Sequence, residues 1–193
     1  GFDASEDMLR HCRRECEARS LTPKLTRQTF ESFAYDERFE AIIVPAGSLQ
    51  LIADRSAAMC TLERFVDHLA PNGRLIVDLD PIDSFLGESR SIRKWQAEDG
   101  DWLTLTADRI ETDFVAQTTV SHLRYDRWTK GRLTASELEL FSLRWWGVEE
   151  FASALRETGF VDIVVSGNYE HRRPPRKGDQ NITFEARRPG HGR

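Results

Sequence analysis

The sequence is short of long hydrophobic runs. Stretches such as Ala41-Ile42-Ile43-Val44 and Leu75-Ile76-Val77 fall far below the roughly 20 apolar residues that span a bilayer. The first residues show no basic-then-apolar pattern, so no secretory signal is read there. Cysteine is scarce: Cys12, Cys16 and Cys60 are three, too few and odd in number for a disulfide framework. Cys12 and Cys16 have helical spacing with no second ligand pair after them, so they read as small apolar residues on a helix's inner face rather than half of a metal site. A basic surplus is also lacking. The 27 Lys and Arg against 32 Asp and Glu leave a net charge of −5, which argues against a nucleic-acid partner. The expectation is a soluble, cytoplasmic protein in a reducing compartment, with no metal, no membrane and no nucleic acid.

What is present describes a folded domain. The chain has 193 residues, 39% hydrophobic and 31% charged, enough for one domain over 1–193 with a real core. Gly1-Phe2-Asp3 reads as the end of a strand. Ser5 then offers a helix N-cap, with Glu6 and Asp7 in the first turn. Met8, Cys12 and Cys16 repeat along one face of a helix running to about Arg19. Pro23 breaks the chain, and Leu25 to Gln28 reads as a short strand. Phe39 to Val44 is a continuous apolar strand of the kind covered on both faces, stopped by Pro45. Ala58, Leu62, Phe65, Val66 and Leu69 form the inner face of a helix capped by Asp54 or Ser56. Pro71-Asn72-Gly73 turns the chain into a buried strand from Arg74 to Leu79. Strands and helices in this order predict an α/β layered fold.

The pattern then changes. From about Ile92 to Arg144 no strong helix signal occurs. Turns at Asp99-Gly100-Asp101 and Lys130-Gly131 separate aromatic and β-branched stretches, and Val115 to Tyr125 should pair with Arg132 to Leu143. Residues 90–145 are thus expected to form an antiparallel insertion of three or four strands. A last helix carries Val148, Phe151, Ala152 and Leu155 and stops at Gly159. Phe160 to Ser166 and Ile182 to Ala186 read as strands flanking a basic loop, and residues 187–193 as a frayed tail.

In doubly wound folds the ligand lies beyond the carboxyl ends of the strands. The first segment there is Gly1-Phe2-Asp3-Ala4-Ser5-Glu6-Asp7-Met8-Leu9. An acid so placed can accept hydrogen bonds from two ribose hydroxyls, or it can simply assist the helix start that Ser5 caps. This segment resembles the second-strand motif of class I S-adenosylmethionine-dependent methyltransferases, an acid followed by a small residue, Ser and then Met-Leu. The resemblance implies S-adenosylmethionine as cofactor, with Asp3 on its ribose and Ala4 and Met8 beside the adenine.

Further segments resemble the same family in order. In Leu25 to Glu31 the family has an aspartate and a hydrophobic residue after its third strand. Here Thr29 and Phe30 stand there, and Thr29 supplies no charge. Phe39 to Gln50 is similar to the fourth strand and the loop along the cofactor's methionine part, which implies Pro45, Ala46 and Gly47 as cofactor contacts. Gly47 permits close backbone approach. Leu69 to Asp78 resembles the turn and strand that follow, and Glu157 to Ile163 a late helix-to-strand corner. The implied fold is a Rossmann-like three-layer α/β sandwich with an antiparallel β insertion. Members acting on small molecules, including amino-sugar N-methyltransferases, carry such an insertion.

The family's first strand and Gly-x-Gly loop should stand before Gly1. In its strand order three, two, one, four, five, seven, six, that strand lies at the centre. Without it two strands would lose their neighbours, at about 1–3 kcal/mol for each buried polar group left unpaired. The expectation is therefore residues beyond those shown, strand exchange within a homodimer, or a strand from a partner.

Methyl transfer from a sulfonium is an in-line displacement that needs alignment and water exclusion rather than a metal. The methyl acceptor is expected to be a small molecule. Ser48, Gln50 and Asp80, with Tyr125, Arg144 and Trp145 beside the insertion, are the candidate substrate contacts. No catalytic base is identified; His122 and His171 read as structural or solvated. Two other functions fit the pattern: a methyltransferase-like binding or assembly module without catalysis, and a nicotinamide-dependent oxidoreductase, against which the Ser-x-x-Met-Leu context speaks.

Overall fold

The computed structural model describes residues 1–190. The chain divides into two compact units, Gly1–Arg38 and Phe39–Arg193.

In the first unit, strand β1 (Phe2–Asp3) leads into helix α1 (Glu6–Glu17) and pairs in parallel with β2 (Thr26–Arg27). The Ser5 side chain caps α1 by accepting from the Met8 amide at 3.3 Å. The inner face of α1 differs from the expected one. Leu9 is its buried residue, while Met8 is 57% exposed and Cys12 and Cys16 are half-buried. The periodicity held, but the buried stripe lies one position further round the helix. Phe2 stacks on the buried Phe33 at 5.0 Å and meets Phe30 edge-on at 5.7 Å, a small aromatic core beneath β1.

The second unit holds two sheets. Strand β3 (Phe39–Val44) runs parallel to β4 (Leu69–Leu79), joined through a short 3-10 turn (Ser48–Leu51) and helix α2 (Arg55–His68). Of the two expected caps for α2, Asp54 serves, accepting from the Ala57 amide at 2.8 Å. β4 begins earlier than Arg74, but the expected turn survives as an irregularity: Asn72 sits at φ 63°, and Phe39 pairs with Leu69 whereas Ala41 pairs with Arg74. After β4 comes helix α3 (Ile82–Leu86), five residues with no side-chain cap, which the sequence did not signal.

Strands β5 (Arg90–Gln96), β6 (Trp102–Asp113), β7 (Thr118–Thr129) and β8 (Arg132–Arg144) form a separate antiparallel sheet in that order. This is the expected insertion, with four strands. Helix α4 (Val148–Glu157) then leads to β9 (Val161–Gly167) and β10 (Ile182–Arg187). β10 inserts antiparallel between β4 and β9, giving the order β3-β4-β10-β9. That order matches the four, five, seven, six segment expected from the resemblance. The core lies on this sheet. Leu75, Val77, Leu79 and Phe184 are buried from the strands, Leu62 and Phe65 from α2, and Phe151 and Leu155 from α4. Phe151 meets Phe184 edge-on at 4.8 Å, which docks α4 on β10.

Candidate active site

In the first unit the expected cofactor contacts lie at the end of β1 and after β2. Asp3 is exposed, and its Oδ1 accepts from the Ser5 amide at 2.7 Å. Both readings of Asp3 are thus compatible, since one oxygen tightens the turn into α1 while the other has no bond within the described residues. Ala4, Met8 and Thr29 are exposed as well, and Phe30 is half-buried. The Thr29 hydroxyl pairs with that of Ser32 at 2.9 Å.

In the second unit the loop after β3 is strained. Ala46 and Gly47 are both left-handed, at φ 54° and 67°. For a residue with a Cβ this conformation costs about 1–3 kcal/mol, so the packing around the loop must hold Ala46 there. Gly47 is buried, and a Cβ on it would come within 2.8 Å of Gln50 Oε1 and 3.0 Å of Asp80 Oδ2. Glycine is therefore required twice over, by φ and by space. Pro45 and Ala46 remain exposed, and the Ser48 hydroxyl donates to the Pro45 carbonyl at 2.6 Å.

Gln50 joins this loop to the end of β4. Its side chain is 1% exposed. The amide donates to the Asp80 carbonyl at 3.3 Å and its oxygen accepts from the Asp80 amide at 2.8 Å. Gln50 thus spends its polar atoms on the Asp80 main chain and works as a positioning residue. Asp78, two residues before and within β4, is also buried, holding the hydroxyls of Thr183 at 2.8 Å and Tyr169 at 3.1 Å. Burial, and then the charge of Asp78, push the Asp80 carboxyl above its ordinary range.

Asp80 lines a cavity of about 170 Å³. Its walls come from α3 and from one face of the insertion sheet. Cross-strand partners share a face, and Ser91 opposite Ala107, and Arg109 opposite Ser121, put those side chains on the cavity side. Phe85 supplies an aromatic wall and Glu88 a second carboxylate. Arg109 also lines the cavity, but its guanidinium donates to the carbonyls of Phe85 and Gly87, which fastens α3 to β6. None of these wall residues was a sequence candidate. The available signal was the alternation of small polar residues along β5 to β7.

The remaining candidates lie apart from the walls. Arg144 is 4% exposed and donates to Ala116 O, Gln117 Oε1 and Glu150 Oε1, with its guanidinium 4.7 Å from the Trp146 ring centroid. Its donors tie the β7–β8 end to the start of α4. Trp145 is buried against Phe85, at 6.3 Å between centroids, and so backs the cavity wall rather than facing into it. Tyr125 shares the cavity face of β7 but sits four residues beyond Ser121, about 13 Å along a strand.

No protein-family model matches the chain, and no curated protein matches it in sequence. Solved structures do match it in fold. A S-adenosylmethionine-dependent methyltransferase from Clostridium acetobutylicum superposes with a TM-score of 0.78 at 16% identity, over 98% of this chain and 74% of that one. The methyltransferase CcbJ from Streptomyces caelestis gives 0.69 at 18% identity over 97% and 78%. The sugar N-methyltransferase KedS8 from Streptoalloteichus gives 0.70 at 18% identity over 98% and 70%. The chain therefore has the class I S-adenosylmethionine-dependent methyltransferase fold, with its antiparallel β insertion.

Proposed function

We propose that this protein transfers a methyl group from S-adenosylmethionine to an amine on a small hydroxylated molecule. The observation that carries the acceptor half is the cavity at Asp80. It sets two carboxylates, Asp80 and Glu88, among the hydroxyls of Ser84, Ser91, Thr119 and Ser121. Such a lining favours a cation bearing hydroxyls over a neutral apolar acceptor. The fold likeness to methyltransferases, one of them a sugar N-methyltransferase, supports the same reading.

The residues present suit the cofactor's chemistry. In the first unit the second carboxylate oxygen of Asp3, which has no bond among the described residues, would accept from ribose hydroxyls, and Ala4, Met8, Thr29 and Phe30 would border the adenine. In the second, Pro45, Ala46 and Gly47 would follow the amino-acid part, where Gly47 leaves room that any side chain would fill. When bound, S-adenosylmethionine supplies a methyl group that is already activated.

The protein's own residues then have two tasks. Asp80 holds the acceptor's ammonium and, with its raised proton affinity, takes the proton that frees the nitrogen lone pair. Gln50 and Gly47 fix Asp80, and the aromatic wall at Phe85 limits water.

Calorimetric titration with S-adenosylmethionine, followed by a methyl-transfer assay on aminated sugars, tests the proposal. Micromolar binding is expected. Asp80→Asn should keep that binding while losing at least about 100-fold in kcat/KM for the amine. Absence of cofactor binding would leave a non-catalytic binding module as the better reading. Retained turnover in Asp80→Asn would remove Asp80 from the mechanism.

A further inference from the structure

Three strands of the core sheet end on the same side. β3 runs parallel to β4, and β10 is antiparallel to both β4 and β9, so β3, β4 and β9 point the same way. Their carboxyl ends are followed by Gly47, by Asp80 and by Tyr169. Ile182 of β10 pairs with Leu79 on one side and with Gly167 on the other. Asp80 and the loop that starts at Asn168 therefore leave the sheet at one level, two strand spacings or about 10 Å apart. The ligand of such a sheet lies beyond these ends.

The loop after β9 is shaped around Tyr169. Asn168, Tyr169 and Arg172 are left-handed, at φ 51°, 59° and 63°. Residues other than glycine keep that conformation only where their surroundings over-determine it. Here they do. The Asn168 side chain donates to Asp179 Oδ1 at 3.0 Å and accepts from the Gln180 amide at 2.7 Å, and the Ser166 hydroxyl accepts from the Arg172 amide at 2.9 Å. Gly167 has no room for a Cβ, which would collide with the Asp179 carboxylate. The product is a tyrosine whose hydroxyl spans β10 to donate to Asp78 Oδ2 at 3.1 Å while the residue stays 65% exposed. The hydrogen bond to Asp78, then the charge of Asp78, and more weakly that of Asp80, push the Tyr169 phenol above its ordinary range, so it remains a donor.

We propose that Tyr169 determines specificity in the acceptor site at Asp80: its exposed ring, held by the tether to Asp78, offers a π face to the acceptor's ammonium group and so favours an amine over the hydroxyl of an otherwise equal molecule. The proposal rests on the reading of the Asp80 cavity as the acceptor site. A cation within about 6 Å of a ring centroid is attracted by the ring's quadrupole, whereas a neutral hydroxyl gains little. Asp80 and Glu88 supply negative charge on the cavity wall, and the ring adds selectivity without a further carboxylate to desolvate. Asp78 itself is unsuited to holding the acceptor, because it is buried and Thr183 and Tyr169 occupy its two oxygens. Pairing with Asp78 alone would not call for an open aromatic face, since Thr183 does the same with a buried hydroxyl.

Tyr169→Phe and Tyr169→Leu separate the ring from the tether. Both lose the hydroxyl and leave Asp78 equally short of a donor, and only leucine loses the π face. Amino sugars such as glucosamine, each beside its hydroxyl parent, are titrated calorimetrically into the whole protein saturated with S-adenosylhomocysteine, and turnover is then measured with S-adenosylmethionine. Tyr169→Leu should weaken amine binding and raise its KM by about 10-fold, and Tyr169→Phe by less than about 3-fold, with kcat and cofactor affinity little changed in either. The preference for the amine over its hydroxyl parent should fall in the leucine variant alone. Equal losses in the two variants, or no loss in either, overturn the proposal and reduce Tyr169 to a partner of Asp78. Absence of cofactor or amine binding by the unaltered protein overturns the acceptor reading itself, and the proposal with it. The residue is exposed, so both variants should fold; matching urea unfolding midpoints check that.

Discussion

The two sheets of the larger unit are built by different rules. In β3-β4-β10-β9, side chains of β4 and β10 are buried and carry the core. In β5-β6-β7-β8, only Leu105 among the large apolar residues of the first two strands is buried, and β5 and the Arg132 to Leu140 part of β8 are exposed throughout. What orders the insertion is its backbone ladder and a set of polar links. Arg127 pairs with Asp99 and Asp101, Thr129 donates to Asp101 at 2.8 Å, and Ser136 donates to Asp126 at 2.6 Å. The core sheet supplies stability. The insertion supplies a wall for the cavity, and little of the surface of its long strands is committed to packing.

The sharpest way to break this contrast is to empty the core. Phe184→Ala removes a ring that is 1% exposed and packed on Phe151, and should cost about 3–5 kcal/mol in urea unfolding. Gln50→Leu comes next. It leaves the Asp80 amide and carbonyl without their partner, for a loss of about 2–3 kcal/mol, and it should lower kcat for methyl transfer more than it changes cofactor affinity. Gly47→Ala should cost about 1–2 kcal/mol from its left-handed backbone, and also crowd Asp80.

Acid should separate the two regions further. Arg127, then Thr129, hold Asp101 below the usual carboxylate range, and Ser136 does the same for Asp126. A carboxyl whose folded pKa lies below its unfolded one stabilises the fold above the unfolded value. That contribution is lost as pH falls from about 4 toward the lower folded value. Asp80, shifted upward, works in the opposite sense: the folded state binds its proton more readily, so acidification relieves a cost there. Hydrogen exchange measured between pH 6 and 3 should show the insertion loosening first, and Asp126→Asn should flatten that acid limb. The smallest effect is expected on the insertion's surface. Ile110→Thr, at a residue 50% exposed on β6, should change unfolding stability by less than about 0.5 kcal/mol.

Much of this was readable along the chain. Phe39–Val44 is a strand over the residues its apolar run predicted, though one face stays open, with Ile43 65% exposed; Asp54, one of the two expected caps, serves α2; and the change of pattern near residue 90 marks a separate sheet. These features depend on neighbours a few residues apart. α3 escaped because five residues without a side-chain cap give no periodicity to detect. The candidate site was legible at its loops, where Gly47 and Asp80 follow strands, and illegible at its walls, which α3 and the four strands of the insertion bring together.

The sequence by itself determined the order of the strands and longer helices, the Ser5 cap, the insertion and the resemblance to the fold, since each rests on local spacing and periodicity. Only the tertiary structure decided which polar side chains are open and which are spent. Gln50 and Asp80 lie 30 positions apart, and Asp78 and Thr183 lie 105 apart. A hydrogen bond across such a distance leaves no mark on local pattern, so nothing in the sequence could show that Gln50 and Arg144 turn inward while Asp80 keeps its carboxyl on the cavity.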